Sequence, residues 1–209
     1  MSHNPALVLI TNVHEQNYEL LLKEVQLDVY VSPHTEPARK DVNLMNITYD
    51  YFTDRLWIGH YNQVLIMVNG LLAREFVRID SSATEYAFVK AFPQSDIVSL
   101  SYASTSTSYS YAVIRNGKKM RVKNGSQDGT LTDFGDLLPI ERELSVDDVI
   151  SPGDLEDLQA DRSSEEVEMT VEGLRGSSVM HRLVADYLGG LELYSEGLQA
   201  IPVTEFVRR

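Results

Sequence analysis

SYSYAVIRNGKKMRVK, residues 108–123, is the stretch whose reading decides the fold. Tyr109 to Arg115 alternates apolar with small polar side chains, the period of a half-buried strand. Lys118 to Lys123 continues as a second strand. Between them Asn116-Gly117 supplies the positive φ angles that a two-residue turn needs. Such a ribbon is antiparallel by construction, and Ile97 to Ala103 adds a third alternating strand just upstream.

Reading outward toward the N-terminus, Leu56 and Ile58 lead through a polar break at Tyr61-Asn62-Gln63 into VLIMV, another hairpin pattern. Asn69-Gly70 then predicts a tight turn. Ser82-x-x-Glu85 resembles a capping box, with Tyr86, Phe88, Val89 and Phe92 as an apolar face and Pro93 as the stop. At the start, Ala6 to Ile10 is a fully apolar run and predicts a buried strand. Asn12-x-x-Glu15 predicts a helix start, with Leu20, Leu21 and Val25 at helical spacing. Asp28 to Ser32 predicts a short strand, and Ser32 to Lys40, with Pro33 and Pro37, a loop. Strand, helix, strand favours a crossover helix here.

Downstream, Asn124 to Gly135 is rich in Gly, Asp, Ser and Thr and predicts a loop. Ser145-x-x-Asp148 and Pro152-Gly153-Asp154 mark starts of short helical pieces, where carboxylates suit the helix dipole. Ser177 to Leu188 predicts a closing helix, stopped by Gly189-Gly190. Ile201-Pro202-Val203 opens an extended segment that predicts an edge strand, able to pair with another copy near 203–207. The fold expected is α+β: a mixed, largely antiparallel sheet with about three packed helices, at 13–26, 82–92 and 177–188, and an acidic helical arm. Residues 1–140 form the body, with the basic hairpin near 109–123. Residues 141–209 form the acidic arm and closing helix, packed on the body as one domain.

Charge is unevenly placed. The 209 residues carry a formal charge of −13. Residues 1–123 hold 12 acidic and 12 basic side chains, whereas residues 124–209 hold 19 and 6, so the whole excess is C-terminal. Glu141 to Glu172 carries 12 acids against Arg142 and Arg162. Just before it, Arg115, Lys118, Lys119, Arg121 and Lys123 form a basic hairpin. Strand alternation predicts Lys119, Arg121 and Lys123 on one face and Lys118 on the other, with no continuous stripe for phosphates. With the overall negative charge opposing a polyanion, this argues against nucleic acid as partner.

Several chemistries lack their residues. With 0 cysteines, disulfides, thiolates and Cys-ligated zinc are excluded. No apolar run approaches the roughly 20 residues of a membrane span, and the basic n-region of a signal peptide is missing, so a cytoplasmic location and no membrane partner are expected. His14-Glu15 starts like H-E-x-x-H, but position 18 is Tyr; none of His3, His34, His60 or His181 completes a ligand pair. His181 is expected on the polar edge of the last helix. Serine elbows and phosphate-cradling glycine motifs are missing too. Asp128, Asp133 and Asp136 do not have calcium-loop spacing. No catalytic residue, metal site or cofactor is assigned.

Tyr111-Ala112, the Asn116-Gly117-Lys118 turn, Arg121 and the exit through Gly135-Asp136-Leu137-Leu138-Pro139 into Glu141 resemble a bacterial domain-of-unknown-function family. The apolar opening strand, the Tyr51 to Tyr61 region and the closing PVTEF fall in a similar order. The resemblance implies a bacterial origin and an α+β fold, and carries over no activity. The function expected from the charge is a non-enzymatic interaction protein, immunity- or antitoxin-like, that binds a basic protein partner. Its surface would be Asp147, Asp148, Asp154, Glu156, Asp157, Glu165 and Glu166. One alternative is an enzyme using carboxylates or a divalent ion in the 124–136 loop. Another is a structural protein whose arm and hairpin pair internally. Oligomeric state is not legible.

Overall fold

The computed structural model describes residues 6–14, 17–32, 54–103, 105–126, 128–193 and 195–209. Nine strands form one sheet in the order β2-β9-β3-β4-β1-β5-β6-β7-β8. In chain order they are β1 Ala6–Ile10, β2 Tyr30–Val31, β3 Arg55–Tyr61, β4 Val64–Val68, β5 Ile97–Ala103, β6 Ser108–Arg115, β7 Lys118–Ser126, β8 Gly129–Gly135 and β9 Val203–Arg208. Every pairing among the described strands is antiparallel. Among the described residues seven helices accompany them: α1 Tyr18–Glu24, α2 Gly70–Phe76, α3 Ala83–Ala91, α4 Pro139–Glu143, α5 Pro152–Asp161, α6 Ser164–Tyr187 and α7 Glu196–Gln199.

The α+β class agrees with the sequence, and the described residues carry seven helices where about three were expected. They cover both faces of the sheet. On one face Val8, Ile10, Leu65, Met67 and Ile114 pack against Leu21, Leu22, Phe76 and Phe88 of α1, α2 and α3. On the other, Leu7, Leu9, Ile66, Tyr111 and Val113 pack against Val179, Met180, Leu183 and Val184 of α6. Covering on both sides explains why all five residues of β1 and all five of β4 are buried. Each fully buried aliphatic side chain there stabilises the fold by about 1.5–3 kcal/mol.

Several expectations change. The β6–β7 and β3–β4 hairpins form as the turn residues predict, with Asn116 and Gly117 at φ 49 and 71, and Asn62 and Gln63 at φ 48 and 63. Asn69-Gly70 is not a turn. Asn69 is the N-cap of α2, its side chain accepting from the Leu72 N–H at 2.8 Å while its amide donates to the Arg55 carbonyl at 2.7 Å. The first helix begins at Tyr18 because Asn17 caps it, leaving Asn12 in a left-handed bend at φ 58; Glu15 lies outside the described residues. The expected crossover is present but long: four antiparallel steps separate β1 from β2 in the sheet, so the two run parallel, and the connection through α1 passes over β4, β3 and β9 to the far edge. β9 in turn pairs along its length with β3, and β2 covers its other side only at Val207 and Arg208, so among the described residues the expected edge near 203–207 is covered in part. The predicted loop Asn124 to Gly135 is the second arm of a ribbon, the end of β7 pairing with β8. The closing helix starts at Ser164, not Ser177, with a capping box between Ser163 and Glu166. Most of the loop from Ser32 to Lys40, together with His3, His34 and Tyr51, lies outside the described residues.

Candidate functional site

Two bulges in the β6–β7–β8 ribbon set the chemistry of this end of the sheet. In β7 the register shifts between Ile114↔Lys119 and Val113↔Arg121, leaving Met120 as the extra residue. A bulge reverses the alternation beyond it. Lys119 therefore lies on the α3 side, where its ammonium pairs with Glu85 at 2.6 Å and donates to the Arg78 carbonyl. Arg121 and Lys123 turn to the α6 side. Thus the expected common face for Lys119, Arg121 and Lys123 is not formed. A second shift, between Asn124↔Thr132 and Gly125↔Thr130, makes Leu131 the extra residue and sends both Thr130 and Asp133 toward α6.

Arg121 is 0% exposed, the opposite of a solvated hairpin cation. Its Nε donates to Glu141 Oε2 at 2.9 Å and its Nη2 to Oε1 at 2.7 Å. Nη1 reaches Asp133 and the Phe134 and Gly135 carbonyls, both at 3.2 Å. Glu141 also accepts from the Tyr111 hydroxyl and the Leu138 N–H, each at 2.8 Å. Every group of the cluster is hydrogen-bonded, the condition under which a buried ion pair is tolerated. Burial, with the Glu141 carboxylate beside it, pushes the Tyr111 hydroxyl far above its ordinary value. Lys123 pairs with Glu172 of α6 and, at 3.9 Å, with Asp133. The first and last acids of the 141–172 segment are thus clamped to the basic ribbon.

Tyr109 stacks on Tyr111 with ring centroids 6.4 Å apart. Its ring lies so close to α6 that a Cβ at Gly176 would overlap it. Burial raises the Tyr109 hydroxyl to about 12. The Thr130 side chain opposes this, yet the hydroxyl makes no hydrogen bond of ordinary geometry.

Above this layer lies an open groove of about 1090 Å³ between β8, α5 and the first half of α6. Its apolar lining comes from Val146, Val149, Leu155, Val167, Met169 and Val171, and its charged lining from Lys123, Asp133, Arg162, Glu165, Glu168, Glu172 and Arg175. Two of the three cations are committed. Lys123 is held by Glu172 and Asp133, and Arg175 donates to the Glu141 and Leu144 carbonyls at 2.8 and 2.9 Å. Arg162 donates to the Thr170 hydroxyl at 3.2 Å. Glu165 and Glu168 have no ion-pair partner among the described residues. Helix α5 buries none of its residues, so it roofs the groove without being fixed in the core.

The seven acids singled out from the sequence are all exposed, but they do not act together. Asp148 accepts from the Ser145 N–H and hydroxyl, both at 2.8 Å, and lies 3.7 Å from Arg182. Asp154 accepts from the Ser151 hydroxyl at 2.6 Å at the start of α5, and Glu166 closes the capping box of α6. Asp147, Glu156 and Asp157 face solvent outside the groove, and only Glu165 lines it. The acids that flank its floor, Asp133, Glu168 and Glu172, enter the charge count singly, and it is the bulge and the single long helix that bring them together. Elsewhere, Arg115 holds Asp96 at 3.0 Å beside the Tyr187 hydroxyl, which burial pushes to about 12; Lys118 is exposed. His181 is half-buried, and that burial lowers its imidazole, against a smaller effect of Glu192. Among the described residues no group of three or more His, Asp or Glu could hold a metal ion, and no helix is long and apolar enough to cross a membrane.

Fold and groove define an antiparallel sheet covered on both faces, with an acid-rimmed cleft at one end. No protein-family model matches the chain, and no match was found among curated proteins or solved structures.

Proposed function

We propose that this is a non-enzymatic interaction protein whose groove between β8, α5 and α6 docks a basic segment of a partner protein. The observation that carries the reading is the groove's asymmetry of free charge. Lys123 and Arg175 are already bonded within the protein and Arg162 donates to the Thr170 hydroxyl, whereas Glu165 and Glu168 have no ion-pair partner among the described residues and lie beside an apolar lining. A docking cleft that combines apolar floor and uncompensated carboxylates favours an amphipathic cationic segment, and the exposed Asp147, Glu156 and Asp157 raise its encounter rate.

The test replaces Glu156, Asp157, Glu165 and Glu168 with their amides and compares capture from lysate with that by the wild type. Proteins lost by the variant are expected to be basic, and their retention on the wild type to fall as salt rises through one Debye screening regime. Capture unchanged by the substitution would sink the reading. The internal pairing of Glu141 with Arg121 and Glu172 with Lys123 favours a structural part for these two acids. They fix the walls of the groove and leave the outer carboxylates to the partner.

A further inference from the structure

β8 ends the sheet, and among the described residues no strand pairs with its outer side. A free edge offers a row of unpaired N–H and C=O groups, which natural sheets commonly blunt with proline, lysine or brevity. The opposite end follows that practice, since β2 has only two residues. β8 has seven, GTLTDFG, with neither proline nor lysine; its blunting device is the Leu131 bulge, which leaves Thr132 to Gly135 in regular register with β7. Its α6-side face borders the groove, since Gly129, Thr130 and Asp133 line that cavity. The Leu131 bulge is what aims Thr130 and Asp133 there. On the other face Phe134 lies alongside buried Val122 and is 38% exposed, while Leu131 is 83% exposed.

We infer that the partner's segment binds as a tenth strand on the outer edge of β8, with basic and apolar residues alternating. The inference rests on the docking role proposed for the groove and specifies its geometry. Main-chain bonds to β8 supply affinity without regard to sequence, and the two faces supply selectivity. Successive side chains of an added strand point to opposite faces. Those on the α6 side meet Asp133, Glu165 and Glu168, and so should be cationic. Those on the other side lie beside Phe134, and so should be apolar. A second copy of this chain is a poor occupant. Its β8 would bring another Asp133 and no cation, between bodies that each carry −13.

The probe is an end-blocked synthetic peptide alternating lysine and valine, set against the same peptide N-methylated at every other residue. Binding is followed by anisotropy, and hydrogen exchange of the full chain locates it. The expected result is slowed exchange across 129–135, with N-methylation weakening binding by about 10-fold or more because it deletes strand donors. Equal binding by both peptides, with protection confined to 152–172, would overturn strand addition and leave the docking groove standing. Binding by neither peptide would overturn both. Protection of 129–135 in the protein alone, with a dimeric mass, would assign the edge to self-pairing and also overturn the inference.

Discussion

Arg121 and Glu141 hold opposite charges in a site closed to water, so the loss of one does not simply subtract a contact. In Glu141→Gln the guanidinium keeps only half-exposed Asp133 as a counter-charge. Denaturant unfolding should show a loss of about 3–5 kcal/mol, the cost of breaking a buried pair from one side. The two tyrosines beside it should respond in opposite senses. Tyr111→Phe removes the hydroxyl that donates to Glu141 at 2.8 Å and should destabilise by about 1–3 kcal/mol. Tyr109→Phe removes a buried hydroxyl that lacks an ordinary hydrogen bond, and should be neutral or stabilising in the same measurement. The sequence displays Arg121 as one cation among five. Its burial follows from an extra residue, Met120, in one strand of the ribbon, and the residue pattern holds no mark of that insertion.

At the scale of elements, α6 shows how a long helix can read as two short pieces. Its N-terminal half carries Glu165, Glu166, Glu168 and Glu172, and Gly173 and Gly176 interrupt the apolar stripe before Val179. Glycine costs about 1 kcal/mol relative to alanine in a helix interior, so Gly176→Ala would ordinarily stabilise. Here the Tyr109 ring occupies the space of the added methyl. The substitution should instead lower the melting temperature, by the equivalent of about 1–3 kcal/mol of overpacking. The hairpins were legible because Asn-Gly and Asn-Gln tips with positive φ are local. Asn69 misled for the same reason: its dipeptide suits a turn, yet the Arg55 carbonyl and the Leu72 N–H, remote or downstream, recruit it as a cap. β8 was illegible, since an exposed edge strand with both faces partly wet carries no period-2 signal.

Across the whole molecule, stability should be graded from the sheet centre outward. β1 and β4 are buried on both faces, whereas α5 buries no residue and touches the body through α6. Native-state hydrogen exchange should accordingly be slowest in 6–10 and 64–68 and fastest in 152–161, with α6 beyond Val179 behaving like the core. Comparable protection in α5 and β1 would contradict this ordering. The sequence by itself determined the α+β class, the β3–β4 and β6–β7 hairpins and the location of the charge excess. These follow from side-chain period, turn stereochemistry and counting, all of which act over a few residues. The tertiary structure decided the strand order, the two helical layers, the burial of Arg121 and the groove roofed by α5. Each depends on which distant segments share a face, and a one-residue bulge is enough to change that face for every residue after it.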